Sequence, residues 1–277
     1  MPAFGTLKRD LAALMGQILR EGTIDSAAAG TFVDAALTEP DDHYNDLVVY
    51  VYTGTGIGQE RRIYDWVQST STASITGNWT TNPVAGDKYY IARREWSNAA
   101  YEGALLQAIR WLRRDLLLPI EDVSKTMGDP GVAAGYTVAV PTGMITISEI
   151  LREGELATTY DLVLPGPNRS DSPWWYLSRS GTTYNIILDK RIHDSNGFII
   201  NGRKLKIIGQ QYQAEPTSDS STISVNPAPI VSLAAALLRL STQVNPDLVL
   251  QAINGFRGAT RRLGGGVWAD AIPIEES

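Results

Sequence analysis

The chain has 277 residues, 43% hydrophobic and 19% charged, the balance of a folded globular protein rather than a disordered one. Its formal net charge of −6 excludes a surface built mainly to grip polyanions, and suits one past which DNA can slide. With no cysteine, disulfides, thiol nucleophiles and thiolate metal sites are all excluded.

The first element in chain order is an amphipathic helix over 6–21. Leu7, Leu11, Leu14 and Ile18 recur at helical spacing, Thr6 caps the start and Gly22 stops the run. Charges at Lys8, Arg9, Asp10, Arg20 and Glu21 interrupt it, so it does not read as a targeting segment. No later run approaches the ~18 apolar residues of a membrane span. A soluble protein, made and used without export and with no membrane partner, is expected.

Between about 29 and 93 the chain reads as strands. LVVYVY, RRIYDWV, STASIT and KYYIAR are short, rich in β-branched and aromatic residues, and punctuated by glycine turns. The spacing predicts a small barrel or sandwich. The period then changes to a long helix over 95–118, with Tyr101, Leu105, Ile109, Leu112 and Leu116 on one stripe and Pro119 as its end. After a Gly-rich linker (127–137), a second β region runs to 225, with strands in ITISEILREG, WWYLSRSG, TYNIILD, KLKIIGQQY and STISV. Two further helices follow, over 229–243 and 246–263, the second with Asn245 as cap and Pro246 in its first turn.

The expected architecture is therefore α+β. It is a helical bundle of about four helices carrying two β modules, a small barrel or sandwich inserted at 29–93 and a second sheet region at 127–225. The expected divisions are 1–28, 29–93, 94–126, 127–225, 226–263 and a tail, 264–277. In that tail Gly264, Gly265 and Gly266 form a swivel, followed by the apolar residues Val267, Trp268, Ile272, Pro273 and Ile274. Such anchors on a loose segment read as a docking element that folds upon a partner.

One motif invites an enzymatic reading. Residues 53–63, TGTGIGQERRI, place a glycine-rich loop after an apolar run. A dinucleotide fingerprint needs G-x-G-x-x-G and then a helix, but the spacing is G-x-G-x-G and strand residues follow. Gln59-Glu60 stands where a phosphate-binding Lys-Ser/Thr pair would be. The loop reads as a hairpin turn, exchangeable for Asn-Gly without effect on folding. The acidic turn around His43 (Asp41, Asp42, Asp46) lacks the spacing of a calcium loop, and two distant histidines, His43 and His193, build no paired metal site. No G-x-S-x-G elbow is present. Trp174-Trp175 reads first as one core ring and one ring over a sheet edge, and second as a stacking platform. The basic clusters Arg110, Arg113, Arg114 and Arg257, Arg261, Arg262 read first as complements of helix dipoles and second as a lining that touches DNA weakly. No catalytic residue, cofactor or metal is expected, and the chain does not read as an enzyme.

Five segments in order carry a resemblance. AAYEGALLQAIRWLRRDL (99–116), VPTGMITISEI (140–150), WWYLSRSGTTYNIILD (174–189), KLKIIGQQYQAEPTSDSSTISV (204–225) and PIVSLAAALLRL (229–240) together resemble head-to-tail adaptor (connector) proteins of tailed bacteriophages. The resemblance covers about half of the chain, and the β module at 29–93 departs from the shortest family members. It implies a non-enzymatic virion protein of the neck, assembled in the host cytoplasm as a homo-oligomeric ring of about twelve copies. Portal protein would lie on one side and a downstream tail or nozzle protein on the other, with double-stranded DNA passing non-specifically through the centre. The tail residues Val267, Trp268, Ile272, Pro273 and Ile274 would then dock on the portal. A baseplate or receptor-binding protein, and a polysaccharide-degrading tail enzyme, are the alternatives.

Overall fold

The computed structural model describes residues 1–93, 95–126, 137–153, 159–165, 174–181, 183–188, 203–242 and 272–273. The chain divides into two units. The first joins Met1–Leu116 to the chain from Gln213, and the second takes Leu117–Tyr212 with the far end of the tail.

The first unit opens with α1 (Phe4–Leu14), whose buried stripe is Phe4, Leu7, Lys8, Leu11 and Ala12. Gly16, at φ +71°, ends it: its N–H reaches Ala13 O and the Gln17 N–H reaches Ala12 O, both at 3.0 Å. Seven strands follow: β1 (Ile18–Thr23), β2 (Ser26–Ala28), β3 (Thr31–Val33), β4 (Val48–Val51), β5 (Glu60–Val67), β6 (Thr72–Ile75) and β7 (Lys88–Ala92). They form one antiparallel sheet in the order β1-β7-β4-β5-β6-β3-β2. The two end strands follow each other in the chain, so the sheet wraps around its core. Phe32, Val49, Val51, Ile63, Trp66, Trp79, Tyr89 and Ile91 fill that core. The opposite side chains of the central strands, Val48, Tyr50, Tyr90 and Ala92, are buried as well. Burial on both faces is why Leu47–Tyr52 reads as an unbroken apolar run rather than an alternating one.

Two helices complete this unit. Helix α2 (Asn98–Leu112) starts at Ser97, whose hydroxyl accepts the Ala100 N–H at 3.2 Å. Helix α3 (Pro227–Thr242) starts with proline in its first turn, and the Asn226 side chain accepts the Ala228 N–H at 3.1 Å. Helices α1, α2 and α3 all touch one another. They bury Leu7, Leu11, Leu105, Ile109, Ile230 and Ala234, among others.

The second unit is a sheet of β8 (Leu117–Thr126), β9 (Thr137–Ala139), β10 (Met144–Glu153), β11 (Tyr160–Pro165), β12 (Trp174–Ser180), β13 (Thr183–Leu188), β14 (Lys204–Tyr212) and β15 (Ile272–Pro273). The order is β8-β14-β10-β11-β12-β13-β9, with β15 alongside β10. Every pair is antiparallel except β11 with β12. Its core holds Ile147, Ile150, Trp175, Ile186, Leu205 and Ile207.

The expected helical bundle of about four helices is therefore wrong: the protein is mostly β-sheet, with three helices among the described residues. Two local causes are visible. The 6–21 helix is cut short at Gly16, so Ile18, the fourth apolar residue of the expected stripe, belongs to β1, and Leu14 is half exposed. The leucines at Leu116–Leu118 favour a helix continuing to 118, yet the helix ends at Leu112 and Leu117 opens β8. Pro119 lies inside β8 because β8 is an edge strand, where a missing N–H costs nothing to the ladder. The expected helix 246–263 lies outside the described residues. STISV forms only an isolated bridge, Ala3 with Thr222.

Candidate functional site

The glycine turn joins β4 to β5 as a hairpin, with Val48 opposite Arg62 and Tyr50 opposite Glu60. Its amides do face an anion, but that anion is the protein's own. Asp87, almost fully buried, accepts the Gly56 N–H at 3.0 Å and the Val84 N–H at 3.1 Å through one carboxylate oxygen. Gly54 lies at φ +90°, and a Cβ there would fall inside the Asp87 carboxylate. Gly58 lies at φ +88°, where a Cβ would stand 2.6 Å from Asp219 Oδ2. The glycines thus serve close approach and left-handed backbone at once. Exchange of this turn for Asn-Gly would strip two carboxylates of their surroundings, so it is not expected to be silent. Gly58→Ala is expected to cost about 1–3 kcal/mol from backbone strain and the Asp219 contact, read as a lowered urea midpoint of the first unit.

Asp219 belongs to a second cluster, the most strongly charged buried feature among the described residues. Lys8 is 1% exposed and sits in the apolar stripe of α1. Its ammonium donates to Glu102 Oε2 at 2.8 Å and lies 2.5 Å from Asp219 Oδ1, an ion pair by distance whose angle is too poor for a hydrogen bond. The Phe4 ring centroid is 5.2 Å away, adding a cation–π contact. Tyr50 donates to Asp219 Oδ2 at 2.9 Å. Burial first, then the Asp219 charge and hydrogen bond, push the Tyr50 phenol far above its ordinary range.

Backbone bonds reinforce the cluster. The Gly5 N–H donates to Asp219 O and the Phe4 N–H to Ser221 O, each at 2.8 Å, and Ile223 N–H donates to Pro2 O at 3.0 Å. Five separate stretches of chain therefore meet at Lys8 and Asp219: α1, β4, the glycine turn, α2 and the loop before α3. The arrangement is a clamp that holds its own ligand. Nothing but the position of Lys8 on a buried stripe (Phe4, Leu7, Lys8, Leu11) marked it in the sequence. Asp219, in a serine-rich loop, carried no signal at all.

The remaining candidates are placed as follows. Asp41 accepts the Gln68 N–H at 2.7 Å, Asp42 accepts from the Asn45 amide at 2.6 Å and Asp46 pairs with Arg62. The acidic turn is thus tied to β5 and its continuation, and His43 packs edge-on to Tyr44 at 4.9 Å. Among the described residues no group of three acidic, histidine or cysteine side chains could hold a metal ion. Arg110 forms a bidentate pair with Glu215, both bonds 2.9 Å, which raises the guanidinium and lowers the carboxyl. Trp175 is a core ring of the second unit, and its indole N–H is buried without a partner. The side chain of Trp174, together with His193, Arg257, Arg261 and Arg262, lies outside the described residues.

Of the expected docking residues, Ile272 and Pro273 form β15, opposite Ile147 and Thr146 respectively on β10. Gly264, Gly265, Gly266, Val267, Trp268 and Ile274 lie outside the described residues. No described helix is long and apolar enough to cross a membrane. No protein-family model and no curated protein matches the chain.

Proposed function

We propose that the chain is a structural subunit of the tailed-bacteriophage neck. In this reading it forms a homo-oligomeric ring between the portal and a downstream tail or nozzle protein, around the channel for double-stranded DNA. The observation that carries the reading is the disposition of the five segments bearing the resemblance. They fall in order on α2, β10, the β12–β13 pair, β14 and α3. The outer two pack on each other in the first unit, and the strands of the inner three share one sheet in the second, the fourth segment returning to the first unit from Gln213. The acidic balance is what a channel needs if DNA is to move through without sticking. The protein needs no reaction of its own in that role.

Native mass spectrometry and negative-stain imaging, with and without portal, test the assembly. Closed rings that join portal are the expected result. Trimers that bind host cell-surface material, or release of reducing sugar from polysaccharide, would replace the reading with an adhesin or an enzyme. Within the same proposal Trp268, following the Gly264–Gly266 swivel, is the portal anchor. Trp268→Ala is expected to weaken portal affinity about 30-fold, the effect of losing a hot spot of about 2 kcal/mol. Its melting temperature should stay within a degree or two of the parent. An unchanged affinity would remove Trp268 from the interface.

A further inference from the structure

The tail strand β15 lies where β10 would otherwise show a bare edge. Strand β14 runs along one side of β10, pairing from Met144 to Arg152. On the other side β11 pairs only with Ile150–Glu153, which leaves Thr146 and Ile147 without a partner from the sheet itself. Ile272 and Pro273 take that place. An open edge of this kind is a template for any extended segment, and proteins cover it. Pro273 suits the outermost position, because a residue without an N–H cannot pass the ladder on to another strand.

We infer that in the assembled ring this strand is exchanged: Ile272–Pro273 of one copy pairs with Thr146–Ile147 of the next. This rests on the proposed ring and assigns one contact within it. The pairing involves two residues, with a net contribution of about 1 kcal/mol for each hydrogen bond, so its hold on its own sheet is slight. Residues 243–271 separate α3 from β15, a 29-residue connection. A connection of that length can span at most about 100 Å. A neighbouring copy is therefore within reach at no loss of bonds, since the same register forms either way. Exchange of an identical element is a low-cost route to a closed assembly. It also leaves Trp268, earlier in the same segment, directed to the portal while the far end ties copies together.

The absence of cysteine makes the test clean. Thr146→Cys and Pro273→Cys are made as separate single variants and as one double variant, and Ile147→Cys with Ile272→Cys supplies a second pair should the first disturb folding. The single variants are mixed, assembled with portal and oxidised, and chains are separated without reductant, while native mass spectrometry reads the ring independently. Covalent dimers from the mixed singles, and a ladder of linked chains from the double variant, are expected. A ring that forms normally, in which the mixed singles stay uncoupled and the double variant closes only on itself, overturns the exchange and leaves the ring intact. A protein that stays monomeric with portal present overturns both.

Discussion

Lys8→Met should cost the first unit about 3–5 kcal/mol, because it leaves Asp219 buried beside Tyr50 with no counter-charge. The methionine fills most of the space of the lysine stem, so the loss reports charge rather than volume. Glu102, about half exposed, keeps its hydration and adds little to the penalty. The triple variant Lys8→Met, Asp219→Leu, Tyr50→Phe removes every member of the buried network, and it should recover most of the loss, since well-packed apolar replacements of buried ion clusters are often neutral. Urea unfolding followed by fluorescence of Trp66 and Trp79, both in the core of the first unit, reads the difference. A loss below about 1 kcal/mol for Lys8→Met would show that Asp219 is solvated by water or met by another cation in its place.

The first unit should also unfold steeply in alkali. Burial, above all, pushes the phenols of Tyr50, Tyr89 and Tyr90 far above their ordinary range; hydrogen bonds to Asp219 and Asp34 add to this for the first two, and the Tyr101 charge for the third. In the unfolded chain each ionises near pH 10. The native state then holds more protons than the unfolded one, so stability present in full below about pH 10 declines as the pH rises further. Three such groups give a slope of roughly 4 kcal/mol per pH unit, enough to exhaust the stability of an ordinary domain between about pH 10 and 12. The phenolate absorbance of these three, taken as the difference between the parent and its Tyr→Phe variants, should change in one step with circular dichroism. A difference signal that grows gradually below that step with the fold intact would mean these hydroxyls reach water.

Much of the β content was legible. Val48–Val51, Lys88–Ala92, Thr183–Leu188 and Lys204–Tyr212 are strands where branched and aromatic runs, bounded by turn residues, placed them. The hairpin at Gly54–Gly58 was legible too, because the glycine spacing failed the phosphate pattern and the flanks read as strands. What was not legible depended on long-range partners. Leu116–Leu118 has helical composition, and only pairing of β8 with β14 makes Leu117 and Leu118 strand, a case of tertiary context overriding propensity. Asp87 and Asp219 are ordinary loop aspartates until the fold brings amides, a phenol and a lysine to them. Nothing local marks an aspartate as buried.

The first unit is written in two parts of the chain, and synthesis must respect that order. Lys8 and Tyr50 leave the ribosome early, while Asp219 follows Tyr50 by 169 residues. At 5–20 residues per second the delay is roughly ten to thirty seconds. Throughout it the Leu117–Tyr212 part of the second unit can form, lacking only the late strand β15, whereas Tyr50 has no Asp219 to accept its hydrogen bond and α1 and α2 have no α3 to pack on. A nascent chain whose α1 and α2 still expose the apolar surface meant for α3 is a natural client for a chaperone. Chains stalled before residue 219 should be far more sensitive to protease in their first hundred residues than finished ones.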